Sequence, residues 1–147
     1  MSNIALVKSV LAAFESGDAK KAGDLLSDDM VFAGPVPKPV SKHEFIGLQS
    51  ALVAAIPDWK FNDAEYKEQG DKVVLKVHIS GTHSNPLTLP PMGIQSFPTT
   101  KKHVQLPYET LTATVKNGKV TRIDGEQVEG GGVPGLLAQL GVKIPHP

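Results

Sequence analysis

The spacing of apolar residues changes at Pro57, and that change does most to limit what this chain can fold into. Before it, Ile4, Val7, Leu11 and Phe14 recur at helical intervals, as do Phe45, Leu48, Leu52 and Ile56. A period near 3.6 gathers each set on one helix face. After it, Val73, Leu75, Val77 and Ile79 alternate with side chains that include Lys76, His78 and Ser80, the two-residue period of a half-buried strand. Helices first and antiparallel strands afterwards predict an α+β domain in which a curved sheet wraps over packed helices.

Local signals sharpen the boundaries. Ser2 or Asn3 caps a first helix that Gly17 ends, and Asp18 opens a shorter one carrying Ala22, Leu25 and Leu26, before a strand at Met30–Ala33 and a loop running to Pro39. Ser41 and Glu44 form a capping box, Val40 and Phe45 suit a hydrophobic staple, and Pro57 stops the third helix because it lacks a donor and biases its predecessor away from helix. Trp59–Tyr66 and Lys72–His83 read as one hairpin, and His103–Val115 and Lys119–Val128 as another about Asn117-Gly118. Between them Ser84–Lys102 carries Pro86, Pro90, Pro91 and Pro98, too many missing donors for a central strand, and is expected as a long loop. Pro134, Leu136, Leu137, Leu140 and Gly141 predict a short final helix. With no repeat and no linker in 147 residues, residues 1–147 are expected to form one domain.

Composition closes several classes of function. Lys plus Arg equals Asp plus Glu at 15 each, which argues against retention on nucleic acid or anionic membrane by bulk charge. The absence of cysteine removes disulfides, thiolate metal sites and cysteine nucleophiles. The longest purely apolar run, Ala51–Ile56, is far short of a membrane span, and the first residues lack a basic leader. No signal peptide is expected, and the chain is expected in the cytoplasm.

A set of short motifs carries a family resemblance over nearly the whole chain: Gly17-Asp18, Asp28-Asp29, Ile56-Pro57-Asp58-Trp59, Gly81-Thr82-His83, Asn117-Gly118-Lys119-Val120, and GLLAQLG at 135–141. In these the chain resembles the nuclear transport factor 2-like superfamily, and within it the SnoaL-like polyketide cyclase and ester cyclase branch. The resemblance implies a cone of three helices on a strongly bent, mixed, mostly antiparallel sheet, with an apolar pocket between them, and commonly a homodimer. It implies acid/base chemistry on a small apolar carbonyl compound, with no metal or organic cofactor. The family's catalytic aspartate precedes the GLLxQLG helix, and its place falls near Gly132, where 129–132 reads Glu-Gly-Gly-Gly. That departure keeps two other readings beside the enzyme, a carrier of an apolar ligand and a dimeric protein-interaction module.

Within this frame His83 is the leading candidate for base or carbonyl orienter, being in phase with the apolar strand face and titrating near neutrality; its alternative is a half-buried histidine that holds a loop. Arg122, Asp124 and Glu126 share one strand face. If it points inward, the pocket holds two carboxylates beside a guanidinium, and if Ile123 marks the inner face these charges lie outside. Tyr108 and Glu109 must point to opposite faces unless a bulge intervenes, with Tyr108 favoured as a pocket hydroxyl. Trp59, Phe32, Phe45 and Phe97 are candidate walls of an apolar ligand pocket, with core packing the favoured role of Phe32 and Phe45 and ligand contact that of Trp59 and Phe97. No metal site is expected, because His78 and His83 fall on opposite strand faces and no other histidines form a short ligand pair.

Overall fold

The computed structural model describes residues 2–34, 38–89 and 94–142. Parts of the two expected loops, 35–37 and the Pro90-Pro91 pair, lie outside the described residues.

Three helices come first, α1 (Asn3–Glu15), α2 (Ala19–Asp24) and α3 (Lys42–Ala55). Their starts are chemically fixed. The Ser2 hydroxyl accepts from the Ala5 N–H, Asp18 accepts from the Lys21 N–H, and both halves of the Ser41/Glu44 capping box are formed. α1 turns Leu6, Val7, Val10, Leu11 and Phe14 inward. Phe14 meets Phe45 edge-on, with ring centroids 5.5 Å apart, so α1 and α3 share one core. α2 is shorter than its apolar residues predict. The Leu25 carbonyl accepts from the Val120 N–H, and Leu26 leaves the helix to open strand β1 (Leu26–Ala33).

The main sheet has six strands in the order β2-β1-β10-β9-β4-β3, where β2 is Val40–Ser41, β3 Ala64–Gln69, β4 Lys72–Val77, β9 Glu109–Lys116 and β10 Lys119–Gly125. β1 and β10 run parallel and the other pairs antiparallel, the mixed sheet expected. Its inner face, with Val73, Leu75, Val77, Ala113, Val115 and Ile123 buried, closes over the helices.

Both long strands expected from sequence break. The first splits after Val77, and its end, β5 (Ser80–Thr82), leaves the main sheet to pair with β8 (His103–Gln105). Gly81 permits this course, since a Cβ there would stand 2.3 Å from the Ile56 side chain. The second splits at Leu106–Tyr108, where Pro107 has no N–H for a ladder. The expected loop at 84–102 contains its own hairpin, β6 (Leu87–Leu89) with β7 (Ile94–Phe97). Pro86 and Pro98 stand just outside these strands, where a missing donor costs no ladder bond, and Leu87 and Leu89 are buried, so the segment straps onto the body. The chain then folds into α4 (Gly132–Leu140), ended by Gly141 in the left-handed conformation.

Candidate functional site

A cavity lies between α1, α3 and the inner face of the main sheet, with the start of α4 at one end. Leu11, Phe45, Leu52, Phe32, Val77, Leu111, Ile123 and Leu136 give it an apolar wall. Its atom-free space, counted out to the open mouth, is about 630 Å³. Three polar side chains interrupt the apolar lining: Gln49 from α3, Trp59 from the segment after it, and Glu109 at the start of β9.

All three are buried, and each carries a polar atom with no protein partner among the described residues: Gln49 Oε1, Trp59 Nε1 and Glu109 Oε2. An unpaired buried polar atom costs about 1–3 kcal/mol, so three around one cavity mark a place that stability alone does not explain. Glu109 is the chemically distinct member. Burial pushes its carboxyl above the usual carboxylate range, the Gly132 N–H pulls the other way, and the negative charge of Glu126 adds to the rise. Oε1 lies on the side of the 130–132 glycines, within 3.2 Å of where a Gly131 Cβ would be, whereas Oε2 is the unpartnered oxygen. One carboxyl oxygen thus faces the glycine turn, and the other has no partner among the described residues.

Trp59 and Phe32 are brought together on the cavity wall, Phe32 packing on Phe45 at 4.6 Å and Trp59 edge-on to Phe61 at 5.8 Å. The other sequence candidates stand elsewhere. His83 is fully buried outside the lining, its Nδ1 3.1 Å from the Thr100 N–H and 2.9 Å from Thr100 Oγ1, its ring parallel to Phe97 at 6.1 Å. A donating Thr100 N–H makes Nδ1 the acceptor and places the imidazole proton on Nε2, a buried atom without a partner among the described residues. Burial also holds the imidazole pKa below its ordinary value. His83 and Phe97 therefore fasten the β6–β7 strap.

Arg122 and Asp124 pair with each other at 2.9 Å on the outer face, each about half exposed. The reason is a shift in register between Val120 and Arg122, which lets Val120 and Ile123 both face inward and turns the alternating charges out. Glu126 is exposed and accepts from the Thr110 N–H at 3.4 Å. Tyr108 is 60% exposed and stacks on His78, so Glu109, its neighbour, is the one that enters.

Gln49 was open to sequence reasoning: it lies four residues after Phe45 and three before Leu52, a lone polar residue on the buried stripe. Leu48, preferred for its hydrophobicity, is only partly buried. Among the described residues no group of three histidine, aspartate or glutamate side chains converges as a metal site would require.

The same architecture occurs in solved structures. AclR of Streptomyces galilaeus, provisionally assigned as a hydroxylase, matches with a TM-score of 0.73 at 21% identity, covering 97% of each chain. IdmH of Streptomyces antibioticus, provisionally assigned as a polyketide cyclase, matches at 0.70 and 22% identity, covering 97% of this chain and 100% of its own. A provisionally assigned SnoaL-like polyketide cyclase from Jannaschia sp. CCS1 matches at 0.68 and 14%, covering 84% of this chain and 83% of its own. Identities this low are likenesses of fold. No curated protein is similar enough in sequence to count as a relative. The family model of the SnoaL-like domain matches residues 7–123, most of the sequence, and the chain belongs to that family.

Proposed function

We propose that this protein is a small-molecule acid/base enzyme that binds an apolar carbonyl compound in the cavity and moves a proton beside the carbonyl, the step common to isomerisation, aldol cyclisation and hydration. The observation that carries the reading is Glu109, a buried carboxyl with a raised pKa and one unpartnered oxygen in an otherwise apolar cleft. A carboxylate of raised pKa is a stronger base than an exposed one, and its protonated form is retained long enough to return the proton. In the forward step Glu109 takes a proton from the carbon beside the carbonyl. The C–H electron pair forms the new carbon–carbon double bond, and the carbonyl π pair moves to oxygen; reversal at the same or a conjugated carbon completes an isomerisation. The polyketide cyclase assignments of IdmH and the Jannaschia protein agree with this class of chemistry.

The test needs no knowledge of the natural substrate. 2-Tetralone, a flat apolar ketone, is incubated with the protein in D2O, and exchange of its α-protons is followed by NMR. Exchange accelerated over buffer, and reduced by about 10²-fold or more in Glu109→Gln, is the expected result. Binding of 2-tetralone with no accelerated exchange overturns the enzyme reading and leaves a carrier of apolar ligands.

A further inference from the structure

Deepening that reading, we infer that the indole N–H of Trp59 is the donor that receives the ligand's carbonyl oxygen, so that the cavity selects compounds with a hydrogen-bond acceptor over hydrocarbons of the same shape. Trp59 is 3% exposed and lines the cavity, yet its Nε1 has no acceptor among the described residues. An indole nitrogen is a donor only, whatever the pH, so its missing partner must be an acceptor. Buried tryptophans ordinarily find one, and Gln49, whose Oε1 is a free acceptor in the same lining, does not serve.

The ring is fixed rather than adaptable. The backbone N–H of Trp59 donates to the Ile56 carbonyl at the end of α3, the indole packs edge-on to Phe61, and Gly81 of β5 passes against the Trp59 backbone, where a Cβ would stand 3.4 Å from its Cα. A donor held in place before the ligand arrives needs no reorganisation when negative charge develops on the carbonyl oxygen, which is how such donors lower a barrier. Glu109 and Trp59 then divide the work: the carboxylate takes the proton and the indole N–H stabilises the oxyanion that remains. The ligand implied has one acceptor oxygen on a largely apolar frame, with an acidic C–H beside it.

Trp59 is the sole tryptophan of the chain, so its Nε1–H gives a single indole cross-peak in a ¹H–¹⁵N NMR spectrum. The experiment titrates uniformly ¹⁵N-labelled protein with 2-tetralone and, separately, with tetralin, the hydrocarbon that lacks the oxygen. The expected result is a downfield movement of the indole proton with 2-tetralone and none of that sense with tetralin. Trp59→Phe, which keeps a ring and removes the donor, reduces a preference for the ketone of roughly 2- to 10-fold to about one. The NMR arm uses the unaltered protein, so it stands even if the variant folds poorly. The movement is also expected in Glu109→Gln, which separates donor from base: α-proton exchange that persists in that variant with the indole movement intact overturns the Glu109 role alone. Saturation with 2-tetralone and no downfield movement, or no binding of the ketone up to its solubility limit, overturns the assignment of Trp59.

Discussion

The carboxyl group of Glu109 rests against Gly131, so closely that a Cβ at that glycine would lie 3.1 Å from the carboxyl carbon and 3.2 Å from Oε1. The same Cβ would stand 3.2 Å from the Val128 carbonyl oxygen, so the glycine turn before α4 is shaped on one side by its own backbone and on the other by the acid. Gly131→Ala should therefore destabilise the protein by about 1–3 kcal/mol in denaturant unfolding, the usual range for forcing one carbon into a filled site. The cost should shrink in a Glu109→Ala background, giving a coupling of about 0.5 kcal/mol or more in a double-mutant cycle. Additive effects would mean that only the Val128 carbonyl resists the new methyl.

Burial of Glu109 has a pH signature of definite sign. Its folded pKa lies above the ordinary 4.5, so the folded protein holds this proton more tightly than the unfolded chain does. The associated stability is fully present below about 4.5 and is lost as pH rises through the elevated value, each unit of elevation being worth about 1.4 kcal/mol. Glu109→Gln, neutral at every pH, should be more stable than the unaltered protein above that window and lose the advantage below it. Unfolding free energies of both proteins from pH 4 to pH 8 measure this directly, and a constant difference would exclude the elevated pKa.

Much of this fold was legible because its signals are local. The Ser41/Glu44 box, the stop at Pro57, the turn at Asn117-Gly118 and the end at Gly141 each depend on residues a few positions apart. The site was less legible, because which side chains share a cavity depends on register. The shift near Arg122 turned Arg122 and Asp124 outward, and the break at Pro107 decided between Tyr108 and Glu109. A strict two-residue alternation cannot foresee either, since one extra residue exchanges the faces of all that follow. Burial also misled at 84–102. Its prolines announced a loop, whereas Leu87 and Leu89, an alternating apolar pair, belong to a strap that Pro86 and Pro98 bracket.

The two glycines that face the sheet ends differ in what they permit. Gly34 has φ +114°, and a Cβ there would fall 1.9 Å from the Gly125 carbonyl oxygen, a backbone atom at the end of β10 that has nowhere to go. Gly118, at the β9–β10 turn, has φ +74° and nothing within 4 Å. Gly118→Ala should cost about 1 kcal/mol, for backbone conformation alone. Gly34→Ala should cost more than about 3 kcal/mol, because β1 and β10 must separate to admit it. Thermal unfolding of the two variants ranks them, and equal costs would show that the close approach of Gly34 to Gly125 is not required for folding.

His83 predicts a pH dependence opposite in direction to that of Glu109. Its ring is fully buried, fastened at Nδ1 by Thr100 and flanked by Phe97, and burial lowers its pKa from the ordinary 6.5. The unfolded chain therefore takes up this proton first as pH falls. The stability that neutral His83 contributes is fully present above about 6.5 and is lost as pH falls through the lowered folded value. Protonation removes the Nδ1 lone pair that accepts from the Thr100 N–H, so acid loosens the link between the end of β5 and the strap that precedes β8. At pH 8, His83→Ala should lose on the order of 2–3 kcal/mol, from two hydrogen bonds and the ring contact with Phe97. At pH 5 the gap between variant and unaltered protein should be smaller. A second readout locates the effect: amide exchange at Leu87 and Leu89 should quicken in the variant at pH 8, while that of Val73 and Leu75 in β4 changes less, because the strap opens without unfolding the main sheet. Uniform acceleration in both places would assign His83 to global stability and remove the strap as a separately opening unit.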